Sequence, residues 1–212
     1  MSKQNEKQTL LYRITHRNNI PWLLRNGLVC QSHPNKDPAF IPIGNSDLID
    51  HRCLRIVDKA PGGMLADYVP FYFCKHSLML YKIHTGQVVG VNVTQDDIVY
   101  VVSSIERLQE LATPFVFTDR HAYVATAQFF TDPEDLNQLD WELISSRDFK
   151  RDPNDPGKIE RRAAECLVHQ QLPVTGLLGL ACRTNDCLSF LQDAMKRVNI
   201  QLTTVVKPDW YF

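Results

Sequence analysis

Apolar and polar positions alternate through residues 9–15, TLLYRIT, with Leu10, Tyr12 and Ile14 on one side. That period of two predicts a half-buried strand. Asn18 and Asn19 then offer a cap for a short helix with Pro21 in its first turn and Gly27 at its end. Residues 31–66 are rich in Pro, Gly, Asn and Asp and hold no sustained period. A structureless stretch of that length is unusual in a compact domain, so it reads as a long functional loop region.

Tyr68 to Phe73, YVPFYF, is an aromatic strand candidate, and 77–84 predicts one or two helical turns. IVYVVS (98–103) and PFVFT (114–118) read as strands, with a helix over 104–111 between them and a DRH turn after the second. Asp132 before Pro133 caps a short helix over 132–141. The polar run 145–162, with two Asp-Pro steps and a glycine, predicts a loop. ECLV and LPVTGLLGLAC predict strands, and Leu188, Leu191, Met195 and Val198 mark an amphipathic helix over 186–198. IQLTTVV reads as a closing strand. Short strands with scattered helices give an α+β class.

The length, 212 residues, suits a single domain over 1–212 with a flexible tail over 1–8. No stretch approaches the roughly 20 apolar residues of a membrane span, and the first residues lack the apolar core of a signal peptide. A cytoplasmic location is the expectation. Cysteines stand at 30, 53, 74, 166, 182 and 187 without a C-x-x-C pair, so buried reduced thiols are expected and no metal site. A net charge of −1 argues against a surface coated in positive charge, yet leaves room for a local basic groove.

P-loop, GxGxxG, HExxH and GxSxG patterns are absent. What remains is polar residues beside strand ends. Thr15 and His16 follow the first strand, where a histidine either donates to a ligand or satisfies a turn. Arg52 and Arg55 each offer a rigid fork of donors for a pyrophosphate, or a solvated charge. Tyr68, Phe71 and Tyr72 either pack a core or line a site. His121 closes a strand. Glu165 opens an apolar run, where burying an unpaired carboxylate is costly, so it is exposed, paired or catalytic. Arg147, Lys150, Arg151, Lys158, Arg161 and Arg162 face Asp148, Asp152, Asp155 and Glu160 in one loop, which reads equally as a solvated mixed-charge segment or a phosphate-binding one.

The order LYRITHRNNIPWLLRNGL, then ADYVPFYF-x(5)-LMLY, then FTDRHA, then RRAAECLV, with a WYF ending, resembles the DarT family over nearly the whole chain. Those bacterial toxins are ADP-ribosyltransferases of single-stranded DNA. The resemblance implies two short packed sheets around an NAD cleft with peripheral helices. It places Thr15, His16, Asn18, Tyr68 and Tyr72 on NAD, with Arg52 as the essential arginine and Arg55 as its near alternative. It makes Glu165 and His121 catalytic with Arg52. It makes 142–164 a substrate-recognising loop in which Lys150, Arg151, Arg161 and Arg162 hold DNA. It also implies thymine as the modified base, with guanine the alternative, and a macrodomain antitoxin partner; a monomer is the default. Two departures, Leu78 where the family often has proline and Cys166 where it often has phenylalanine, lie away from this chemistry. Competing readings are transfer to RNA, protein or water, and a non-catalytic DNA-binding module.

Overall fold

Ten strands and six α-helices are laid out along residues 8–44, 53–88, 90 and 92–212, the part of the chain that the structure, a computed structural model, describes. In chain order they are β1 (Leu10–His16), α1 (Ile20–Asn26), β2 (Leu28–Val29), β3 (Tyr68–Tyr72), α2 (Leu78–His84) and β4 (Ile98–Ser104). There follow α3 (Ile105–Glu110), β5 (Phe115–Thr118), β6 (Phe129–Phe130), α4 (Trp141–Ser145) and α5 (Lys158–Arg162). β7 (Glu165–His169), β8 (Gln171–Leu172), β9 (Gly179–Cys182), α6 (Asn185–Val198) and β10 (Thr203–Val206) complete the set. The tail predicted over 1–8 lies almost wholly outside the described residues.

Eight strands form one sheet in the order β10-β9-β4-β1-β3-β7-β5-β6, and β2 pairs β8 in a small second sheet. The large sheet has two halves. β1 pairs β4 along all seven of its residues, but meets β3 only at Tyr12 opposite Tyr72. Proline explains the thin join. Pro70 sits mid-strand in β3 with no N–H to give, and its carbonyl accepts instead from the Arg13 guanidinium at 2.9 Å. The two sheets expected from the sequence are thus a large one, thinned at its middle, and a small two-stranded one.

β4 is buried at every residue, which is why its sequence is an unbroken apolar run rather than an alternating one. Val99 and Val101 face a core shared with Leu24 of α1 and Leu191 of α6, while Ile98, Tyr100 and Val102 face a second cluster with Ala181 and Tyr211. α6 opens on the Thr184 hydroxyl, which accepts from Cys187 N, and closes at Asn199 in the left-handed conformation. Gly27 ends α1 at φ +80°, and a Cβ there would lie 2.5 Å from Leu172 O, so only glycine lets β2 approach β8.

The predicted loop over 145–162 contains all of α5 and the end of α4. No described helix is long and apolar enough to cross a membrane. The described residues hold no group of three or more His, Cys, Asp or Glu arranged for a metal ion.

Candidate active site

β1 ends where its apolar face gives way to Thr15, a buried residue whose hydroxyl accepts from the Asn19 amide at 3.0 Å. Asn19 also donates to Ile41 O and accepts from Ile41 N, both at 2.9 Å. One buried amide therefore pins the loop around residue 41 to the strand end. Under that loop lies a cavity of about 440 Å³, and among the described residues those lining it fall between Arg13 and Met79. The size suits a small-molecule pocket. Its walls are mostly apolar or aromatic (Trp22, Phe40, Tyr68, Tyr72), with Arg13, Thr15 and Asn19 as fixed polar points.

Of the residues expected on NAD, Thr15, Tyr68 and Tyr72 line this cavity. His16 and Asn18 lie just beyond it. The His16 ring accepts from Asn18 N at 3.1 Å to cap the turn 17–19, and Asn18 is exposed. Burial lowers the His16 pKa against the upward pull of Asp97. The Tyr68 hydroxyl donates to Gly62 O at 2.6 Å, and burial pushes its pKa up to about 12, so the ring is neutral and offers its face and edge. Arg13 and Asn19 were not singled out in the sequence. Asn19 had a signal, as one of two adjacent asparagines at a helix start. Arg13 had none, since an arginine on an amphipathic strand reads as its solvent face.

The carboxylate comes from β7, the strand beyond β3 in the sheet. Glu165, the first residue of β7, is fully buried, and its Oε2 accepts from Ala122 N at 2.9 Å. Tyr72 stands directly opposite it in the β3–β7 register. Cross-strand partners share a face of the sheet, so Glu165 is one strand away from a wall of the cavity. The turn after β5 wraps this carboxylate. The Thr118 hydroxyl contacts the backbone of Glu165, and His121 N donates to Glu160 O at 2.8 Å. The His121 Nδ1 accepts from Tyr123 N at 3.3 Å, which assigns the proton of the neutral ring to Nε2.

Arg52 lies outside the described residues. Its near alternative, Arg55, donates to Ala125 O at 3.3 Å and sits over the Phe129 ring, 5.8 Å from its centroid, tying its own segment to the loop after His121.

The basic residues of the predicted recognition loop divide in two. Lys150 and Arg151 are exposed. Arg161 forks onto Asp155 at 2.7 and 3.0 Å and reaches Asp140. Arg162 has a different role from the DNA contact expected of it. It is 3% exposed and donates to the carbonyls of Leu143, Ile144 and His76. A buried guanidinium committed to backbone oxygens anchors the loop and has no face for a phosphate. Its other face lies 4.1 Å from the Phe149 ring centroid, and Phe149 stacks on Tyr81 at 4.3 Å. Phe149, a lone aromatic in a polar run, was the signal for this clamp.

A family model described as "ssDNA thymidine ADP-ribosyltransferase, DarT" matches residues 12–212. A DNA ADP-ribosyl transferase of Escherichia coli O127:H6 is 39% identical over 208 residues, covering 98% of this chain and 95% of that protein. One from Thermus sp. (strain 2.9) is 38% identical over 173 residues, covering 82% of this chain and 80% of that protein. The solved Thermus sp. 2.9 DarT in complex with ADP-ribosylated ssDNA superposes with a TM-score of 0.90 at 31% identity, covering 100% of both chains. Its complex with NAD+ superposes at 0.84, with 31% identity, covering 99% of this chain and 100% of that one. The two-part sheet, the cavity that straddles its join and the capped carboxylate one strand beyond are thus those of a chain that belongs to the DarT family.

Proposed function

We propose that this chain transfers ADP-ribose from NAD to a thymine base of single-stranded DNA, releasing nicotinamide. The observation that carries it is the position of Glu165, a fully buried carboxylate paired in register with a tyrosine of the cavity wall. NAD occupies the cavity against Thr15, Tyr68 and Tyr72, with His16 and Asn18 at its rim. Breaking the nicotinamide–ribose bond leaves the electron pair on neutral nicotinamide and builds positive charge on the ribose. Glu165, accepting from a ribose hydroxyl, stabilises that charge as it grows. A base nitrogen then bonds to the ribose carbon and loses its proton. His121 receives that proton at Nδ1 by releasing the Tyr123 N–H, or holds the NAD phosphates through its Nε2–H, and Arg52 steadies the electron-rich base by its charge.

A base buried in a duplex hides its reactive edge, which favours a single strand. Lys150 and Arg151, exposed on the recognition loop, attract the backbone, with Arg161 behind them. A macrodomain antitoxin partner, a monomeric state and a cytoplasmic location belong to the same reading.

Intact-mass analysis of oligonucleotides incubated with NAD tests it. Wild type adds one ADP-ribose to single strands containing thymine and none to strands lacking it; Glu165→Ala adds none while NAD still raises its melting temperature. Modification of thymine-free strands, or NAD loss without any DNA adduct, would overturn the choice of acceptor. Full modification by Glu165→Ala would overturn the role of the carboxylate.

A further inference from the structure

The N–H that meets the Glu165 carboxylate belongs to Ala122, in a turn with no regular structure of its own. Something must hold that turn at the right height. The neighbouring carboxylate, Asp119, divides its two oxygens. Oδ2 takes both Nε and Nη2 of Arg120, at 2.9 and 2.8 Å, and Oδ1 takes Gln128 N at 3.0 Å. The same Arg120 reaches Thr126 through Nη1 at 3.2 Å, and its carbonyl accepts from the Thr118 hydroxyl at 2.6 Å. The loop 119–128 is thus closed at its mouth by Oδ1 and braced across its width by Arg120. His121 and Ala122 stand inside the closed loop. Asp119 and Arg120 are both mostly buried, at 13% and 24% side-chain exposure, and neither lines the NAD cavity.

We infer that Asp119 and Arg120 are positioning residues for the transfer step: their clasp sets the Ala122 N–H on the Glu165 carboxylate and fixes the presentation of His121. The inference rests on the proposed role of Glu165. An arginine paired with its sequence neighbour is commonly a surface pair of little consequence. Here the pair is screened from water and its acceptor also closes the loop that carries the catalytic contact, so its loss moves the contact and not only the pair. A misplacement of about 1 Å at a reacting group costs up to roughly 100-fold in rate.

Steady-state transfer to a thymine-containing single strand, followed against pH, tests this in Asp119→Ala, Asp119→Asn and Arg120→Ala. Asp119→Ala is expected to lower kcat on the order of 10- to 100-fold with KM for NAD little changed. Asp119→Asn keeps an acceptor for Gln128 N and is expected to restore part of that loss. Withdrawing the Ala122 donor raises the proton affinity of Glu165, so the acid limb of the kcat profile moves to higher pH. Wild-type kcat in Asp119→Ala, or a loss explained by less folded protein with the acid limb unmoved, would overturn the inference. Should Asp119→Ala fail to fold, the other two variants carry the same readouts. If Glu165→Ala is itself active, the fault lies with the role given to Glu165. If Glu165→Ala is dead while the Asp119 and Arg120 variants behave as wild type, the fault lies with the clasp alone.

Discussion

Arg162 and Arg151 look alike in the sequence, as two arginines in one basic loop, and the fold gives them opposite settings, Arg162 buried and Arg151 exposed. Arg162→Ala removes the guanidinium donor from the carbonyls of Leu143, Ile144 and His76 and leaves a void in a buried setting, and is expected to cost about 2–4 kcal/mol of stability by denaturant titration. Arg151→Ala is expected to stay within about 0.5 kcal/mol of wild type, while lowering DNA affinity and its salt dependence. Equal destabilisation by both would contradict this division of labour. Asp67 makes a prediction of another kind. Its carboxylate accepts from Met64 N and the Ser32 hydroxyl, and these donors hold its pKa below the ordinary 3.8. A depressed folded pKa stabilises above the unfolded value and ceases to as pH falls through the folded one. Asp67→Asn should therefore lower the melting temperature at neutral pH, by a margin that closes below about pH 4. At this scale Glu165 was legible because a charge heads an apolar run. The choice between Asn18 and Asn19 was not, because only the exit angle of the chain from β1 decides which side chain turns inward.

Long periodic elements were the most readable. β1, β4, β7 and α6 match the sequence expectation closely, β1 and α6 through repeats of their own period, β4 and β7 as short apolar runs. The helices α4 and α5 were missed, at five residues each, because little more than one turn records no period. They exist through tertiary contacts, among them the Arg162 hydrogen bonds to the end of α4 and the Tyr81–Phe149–Arg162 stack. Phe149→Ala removes the middle of that stack. We expect faster amide exchange across 147–157, weaker DNA binding and unchanged NAD affinity, measured by hydrogen exchange and titration. Unaltered exchange there would mean that the loop is held by its salt bridges, Lys158 with Asp148 and Arg161 with Asp155, and not by the stack.

Across the whole molecule, the sheet divides at the Tyr12–Tyr72 pair; the cavity expected to hold NAD straddles that join between β1 and β3, and the carboxylate stands one strand further on, in β7. Nothing in the sequence spelled out that join except Pro70, which reads as an edge residue and turns out to thin a sheet from within. A ligand bound at the join stabilises both halves by mass action. NAD at 100-fold above its dissociation constant is expected to add about 2.7 kcal/mol, read as a concentration-dependent rise in melting temperature. Tyr72→Ala should reduce that rise by weakening the cavity wall.

The order of the parts along the chain has a consequence during synthesis. The described residues of the cavity wall are all present by Met79, whereas the carboxylate and its cap arrive only with residues 118–165. Yet β1 finds its partner β4 only at residues 98–104 and β3 its partner β7 only at 165–169, so a chain still on the ribosome has neither a finished wall nor the carboxylate. For an enzyme that modifies DNA, translation is then its own safety interval: on the role proposed for Glu165, a chain stopped before that residue is expected to be inert, with activity beginning only when most of the message has been read.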